Sequence, residues 1–142
     1  MSFSGPLEDR VAIAELNAGF GDHISAREPE QWGALWADDA RWDHPRLGQL
    51  SGKAAIIKAC AGAFENLPFI FFVGRLGAVD VRGDAATGRV WVIEFTANKA
   101  GDSQRVCGLY TDDYVKRQGV WLFQHRRYRY LERVRQEPIP AL

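Results

Sequence analysis

A chain of 142 residues, 46% hydrophobic and 25% charged, has the size and composition of one folded domain around one core. Its 18 basic and 18 acidic residues cancel, which removes the electrostatic ground for nucleic acid or an anionic membrane as partner. Residues 1 to 8 carry neither a basic region nor an apolar run, no stretch reaches membrane-spanning length, and Cys60 and Cys107 have no CxxC or metal spacing; a reduced, cytoplasmic protein is expected.

Residues 8 to 26 predict a long helix, with Ile13, Leu16, Phe20 and Ile24 on one apolar stripe and Asp22 on the solvated side. Pro29 opens a second, short helix, where Trp32, Leu35 and Trp36 pack inward and Asp38-Asp39 forms the polar end. Residues 40 to 44 predict a short strand stopped by Pro45. Ser51 is placed to cap a third helix that ends near Asn66, with Ile56, Ile57, Cys60 and Phe64 as its buried face.

After Pro68 the period changes from helical to alternating. Strands are predicted over 69–82, 87–97, 104–116 and 120–132, separated by turn residues at Gly83-Asp84, Asn98 to Ser103 and Gln118-Gly119. Helices first and antiparallel strands afterwards indicate a single α+β domain. Alternation puts Leu122, Gln124, Arg126, Tyr128 and Tyr130 on one face of the last strand, and Trp121, Phe123, His125, Arg127 and Arg129 on the other. Trp91, Ile93 and Phe95 join the face turned from the helices. That aromatic surface predicts a homodimer or homotrimer.

The segment Trp36-Ala-Asp-Asp-Ala-Arg-Trp42, Gly52-Lys53 before the third helix, and the Tyr110 to Phe123 hairpin resemble the SnoaL-like family of the nuclear-transport-factor-2-like superfamily. Scytalone dehydratase and hexachlorocyclohexane dehydrochlorinase are similar in pattern. The resemblance spans residues 7 to 132 of the 1–142 domain. It implies a cone: a curved antiparallel sheet wrapped by three N-terminal helices, with the ligand inside and the oligomer on the outer sheet face. It also implies an Asp–His dyad in dehydrochlorinase-like members. The Asp position, thirteen residues before Asp38, holds Ser25, and the His position, early on the strand after the third helix, holds Phe71, so the dyad is absent here.

Other groups take its place as candidates. His44 shares parity with Trp42, a cavity position by the resemblance, and a histidine exchanges protons near neutrality. Glu94 has the parity of Val90 and Val92, also cavity positions by the resemblance. Inward-pointing Arg126 is its expected partner, either as a structural pair or as an acid or base tuned by burial. Tyr110, Tyr128 and Tyr130 supply hydroxyls for an oxyanion or for orienting a ligand. Trp42, Phe69, Phe71, Val92 and Ser25 complete the expected binding surface for a small hydrophobic, aromatic molecule. His23 is expected in a structural role and His125 at an interface. No phosphate loop, nucleophile elbow or metal spacing occurs. The resemblance, together with the inward polar cluster, implies cofactor-independent lyase or isomerase chemistry on a molecule bearing a hydroxyl or carbonyl, with a binding or interaction module as the alternative.

Overall fold

A computed structural model describes residues 2–136. The chain runs β1 (Phe3–Ser4), α1 (Leu7–Ala26), α2 (Pro29–Gly33), β2 (Trp36–His44), β3 (Gly48–Ser51), α3 (Lys53–Asn66), β4 (Phe69–Arg82), β5 (Ala85–Ala97), β6 (Ser103–Arg117) and β7 (Val120–Gln136). The strands form one curved sheet in the order β1-β4-β5-β6-β7-β2-β3. The four long strands are antiparallel neighbours, as expected. The sheet is nevertheless mixed, because β1 lies parallel to β4 and β2 parallel to β7.

Helix α1 lays Ile13, Leu16 and Phe20 against the sheet. It approaches β4 closely: a Cβ on Gly21 would lie 3.0 Å from the Phe72 carbonyl oxygen. Trp36 is buried as expected, but as the first residue of a strand, and Asp38 and Asp39 belong to that strand too. Ser51 ends β3 and leaves α3 to start after Gly52, whose φ of 87° suits glycine. Between β6 and β7, Gln118 and Gly119 take φ of 51° and 78°, the left-handed pair of a tight hairpin.

The last strand departs from plain alternation. Tyr114 pairs with Phe123 and Asp113 with His125, so Gln124 is an extra residue. Before this bulge the odd-numbered side chains face the helices; after it the even-numbered ones do. Trp121 and Phe123 are therefore core residues and not part of the outer face, while Arg126 and Tyr128 still point inward. Phe123 joins Phe20, Trp32, Trp36 and Trp42 in one aromatic cluster with ring centroids 5.3–6.5 Å apart. No helix among the described residues is long and apolar enough to cross a membrane.

Candidate active site

A cavity of about 170 Å³ lies between α1, α3 and the concave face of the sheet. Most of its wall is apolar. Phe20 and Ile24 come from α1, Cys60 and Ala63 from α3, Ile70 and Phe72 from β4, and Trp42 from β2. The polar groups are few: His44 on β2, Arg46 on the following turn, Asn66, Glu94 on β5 and Tyr110 on β6. A cavity of about 150 Å³ holds one benzene ring, so this one has room for a single substituted ring.

His44 extends beyond the aromatic cluster. Its ring stacks on Tyr128 at 5.2 Å and meets Trp42 edge-on at 5.3 Å. The Arg46 backbone N–H donates to its Nδ1 at 3.1 Å. Burial, and secondarily the Arg46 charge, push its pKa down to about 4. His44 is thus neutral near pH 7, and with Nδ1 accepting, the proton sits on Nε2.

Glu94 is on the wall because the β5–β6 ladder runs without a bulge from Ala85↔Val115 to Ala97↔Ser103. Its expected partner is elsewhere. No hydrogen bond or ion pair holds Glu94 among the described residues. Burial pushes its pKa up to about 7, against a smaller downward pull from Arg46. A carboxyl at that value is present in both protonation states at neutral pH. Tyr110 is 2% exposed, and burial raises its hydroxyl well above the usual range, so it stays a donor.

Arg126 pairs with Asp112 and not with Glu94. Its Nε and Nη2 donate to the Asp112 carboxylate at 3.0 and 2.9 Å, and Nη2 also reaches Asn17 Oδ1 at 3.3 Å. Tyr114 donates to Asp112 Oδ2 at 2.9 Å and accepts from Asn17 Nδ2 at 3.0 Å. The guanidinium lies 3.8 Å from the Tyr110 ring centroid. This network, which leaves Arg126 Nη1 buried without a partner, supports the cavity wall from behind. Tyr128 and Val92 are also buried behind it, and Tyr130 packs edge-on to His44 at 6.1 Å. Tyr128 sits directly over Gly108, its hydroxyl buried without a partner.

Five expected binding residues, Ser25, Phe69, Phe71, Val92 and Tyr130, do not line the cavity; of that set only Trp42 does. Phe69 and Phe71 are 53% and 46% exposed on the outer face, and their neighbours Ile70 and Phe72 point inward instead. The position facing Ser25 is thus Phe72, one residue later than the resemblance implied. Ser25 Oγ accepts from the Phe72 N–H at 3.0 Å and donates to its carbonyl at 3.3 Å, which ties α1 to β4. Arg46, Asn17 and Asp112 escaped the sequence reading. Asp112 had a usable signal, since it shares the parity of Tyr110; Arg46 on a turn had none. His23 pairs with Glu28 at 2.7 Å, and His125 with Asp43 at 2.8 Å. Ligand atoms of Asp22, His23 and Glu28 lie within 4.8 Å of one another, a cation-sized surface cluster outside the cavity lining.

A family model for the SnoaL-like domain matches residues 5–127. An uncharacterized protein of Mycobacterium tuberculosis strain H37Rv is 32% identical over 120 residues, covering 81% of this chain and 80% of that one. A solved hexachlorocyclohexane dehydrochlorinase (LinA) type 2 aligns with TM-score 0.84 at 22% identity, over 96% of this chain and 94% of that one. A Novosphingobium aromaticivorans protein provisionally assigned as a scytalone dehydratase aligns with TM-score 0.84 at 21% identity, over 96% of both chains. At these identities the structural matches establish the fold.

Proposed function

The chain belongs to the SnoaL-like domain family, and on that premise we propose that it is a cofactor-independent lyase or isomerase for a small monocyclic aromatic molecule bearing a carbonyl or hydroxyl. The observation that carries this reading is Glu94: an unpaired carboxyl on the wall of a mostly apolar cavity, held near pKa 7, beside a neutral histidine and a buried phenol.

The roles follow from the protonation states. Ionised Glu94 removes a proton from carbon next to the substrate carbonyl. The negative charge that develops on the carbonyl oxygen accepts hydrogen bonds from His44 Nε2–H and the Tyr110 hydroxyl. Protonated Glu94 then returns the proton. Delivery to a departing hydroxyl expels water; delivery to a different carbon moves the double bond. General acid–base catalysis of this kind contributes about 10²–10⁴-fold. His44 serves here as a donor, because its Nδ1 lone pair is engaged by Arg46.

A binding module is the second reading. It is favoured by Ser25 and Phe72, which replace the dyad and satisfy each other. Incubation with monocyclic aryl β-hydroxyketones separates the two. An enzyme releases water and produces a conjugated absorbance that Glu94→Gln abolishes. A binder returns each compound unchanged, which would refute catalysis.

A further inference from the structure

Next to the inner cavity, and sharing Arg46 and Leu67 with it, lies a second hollow of about 220 Å³. Its wall is polar and basic. Arg46 comes from the β2–β3 turn, Arg133 and Arg135 from the end of β7, and Thr96 and Gln104 from β5 and β6.

The two β7 arginines reach this hollow through a second bulge. Gly108 pairs with Tyr130 and Cys107 with Glu132, which leaves Leu131 as an extra residue. Beyond it Arg133 pairs with Val106 and Arg135 with Gln104, and these pair in turn with Glu94 and Thr96. Plain alternation from Tyr128 and Tyr130 would have put Glu132 and Val134 on the concave face. The bulge therefore replaces a carboxylate with two guanidiniums at the cavity mouth. Asp102 also lines the hollow, its carboxylate accepting from Asn98 Nδ2 at 3.2 Å. Arg133 Nε donates to Gln104 Oε1 at 2.8 Å. Among the described residues, no carboxylate lies within ion-pair distance of Arg46, Arg133 or Arg135.

We propose that this hollow receives the carboxylate of an arylalkanoic acid whose ring occupies the inner cavity. The proposal rests on the reading of the inner cavity as a site for a single aromatic ring. Guanidinium groups present fixed donor forks that match a carboxylate, and charge-assisted hydrogen bonds are about twice as strong as neutral ones. Two adjoining hollows, one apolar and one basic, match a molecule with one apolar and one anionic end. Arg46 links them, because it borders both and acts electrostatically on Glu94 and His44.

The test is calorimetric titration of the full chain with phenylpropanoate and with uncharged phenylpropanamide, at low salt. The acid is expected to bind about tenfold tighter, and the preference to vanish in Arg46→Gln/Arg133→Gln/Arg135→Gln. All three arginines are exposed, so this variant keeps its fold. Equal binding of acid and amide overturns the carboxylate site and leaves the aromatic cavity standing. A preference that survives in the triple variant overturns the assignment to these arginines. Failure of both compounds to bind at millimolar concentration overturns the ring site as well.

Discussion

The backbone N–H of Arg46 donates to Nδ1 of His44, and this single bond sets what the histidine can do. A neutral imidazole with Nδ1 accepting carries its hydrogen on Nε2. It can donate to an oxyanion but offers no lone pair toward a substrate proton. His44→Gln keeps an N–H donor and is expected to retain more turnover than His44→Phe. If His44 were the base, both variants would lose activity equally. Nitrogen chemical shifts of the imidazole check the tautomer directly.

Glu94 and His44 pull the pH dependence of stability in opposite directions. A carboxyl raised from 4.5 to about 7 takes up its proton in the folded state at a pH where the unfolded chain has released it. Stability falls as pH rises through that window. A histidine lowered from 6.5 to about 4 is neutral when folded and charged when unfolded between those values, so stability rises with pH there. The two effects offset each other between 4.5 and 6.5. Relative to wild type, urea midpoints of Glu94→Gln should lose the falling contribution and those of His44→Gln the rising one, each up to about 1 kcal/mol per pH unit. Profiles that superimpose on wild type would contradict the shifted values.

The Arg126–Asp112 pair is buried on both sides, with side chains 1% and 0% exposed. Removing one partner leaves an uncompensated charge. Asp112→Asn is expected to cost about 3–5 kcal/mol in urea unfolding, and Arg126→Met a similar amount. Arg126→Met combined with Asp112→Leu should recover most of the loss. Glu94→Gln at pH 5 should change stability little, because Glu94 is protonated there and has no ion-pair partner.

Gly108 gives Tyr128 its place, since the tyrosine ring occupies the space a Cβ would take. Gly108→Ala pushes the ring off its stack with Tyr110, where centroids are 4.5 Å apart, and off His44. Overpacking of this kind costs about 1–3 kcal/mol. Turnover should fall with it, and the thermal midpoint and the rate report the two effects separately.

Trp91 and Ile93, each 47% exposed, and Val73, 50% exposed, form an apolar outer sheet face with Phe69 and Phe71. A face of this kind marks an association surface, and we expect a dimer or trimer through it. Sedimentation should give an oligomer for the wild type and a monomer for Trp91→Arg/Ile93→Lys. A wild type that is monomeric at micromolar concentration would contradict the expectation.

Alternation carried the sequence reading as far as the ladders stayed regular. Glu94 and Tyr110 were placed correctly because β5 and the adjoining part of β6 pair without interruption. Trp121 and Phe123 were misplaced because the Gln124 bulge has no signature in residue type; only pairing with Tyr114 and Asp113 reveals it. Phe69 and Phe71 failed for a related reason. Four consecutive apolar residues, Phe69 to Phe72, leave the face undetermined, and α1 packing through Gly21 against Phe72 decides it. The partner of Arg126 is a matter of reach across strands. Asp112 stands directly opposite it in the ladder, and Glu94 stands two strands away.

The proposed chemistry requires Glu94 to titrate near neutrality inside the cavity. Carbon NMR of the glutamate side-chain carboxyls, recorded from pH 3 to 9 on wild type and on Glu94→Gln to assign the signal, tests it without a substrate. One carboxyl is expected with a midpoint of about 7, and it should be missing from the variant. A Glu94 midpoint near 4.5, like an ordinary glutamate, would contradict it.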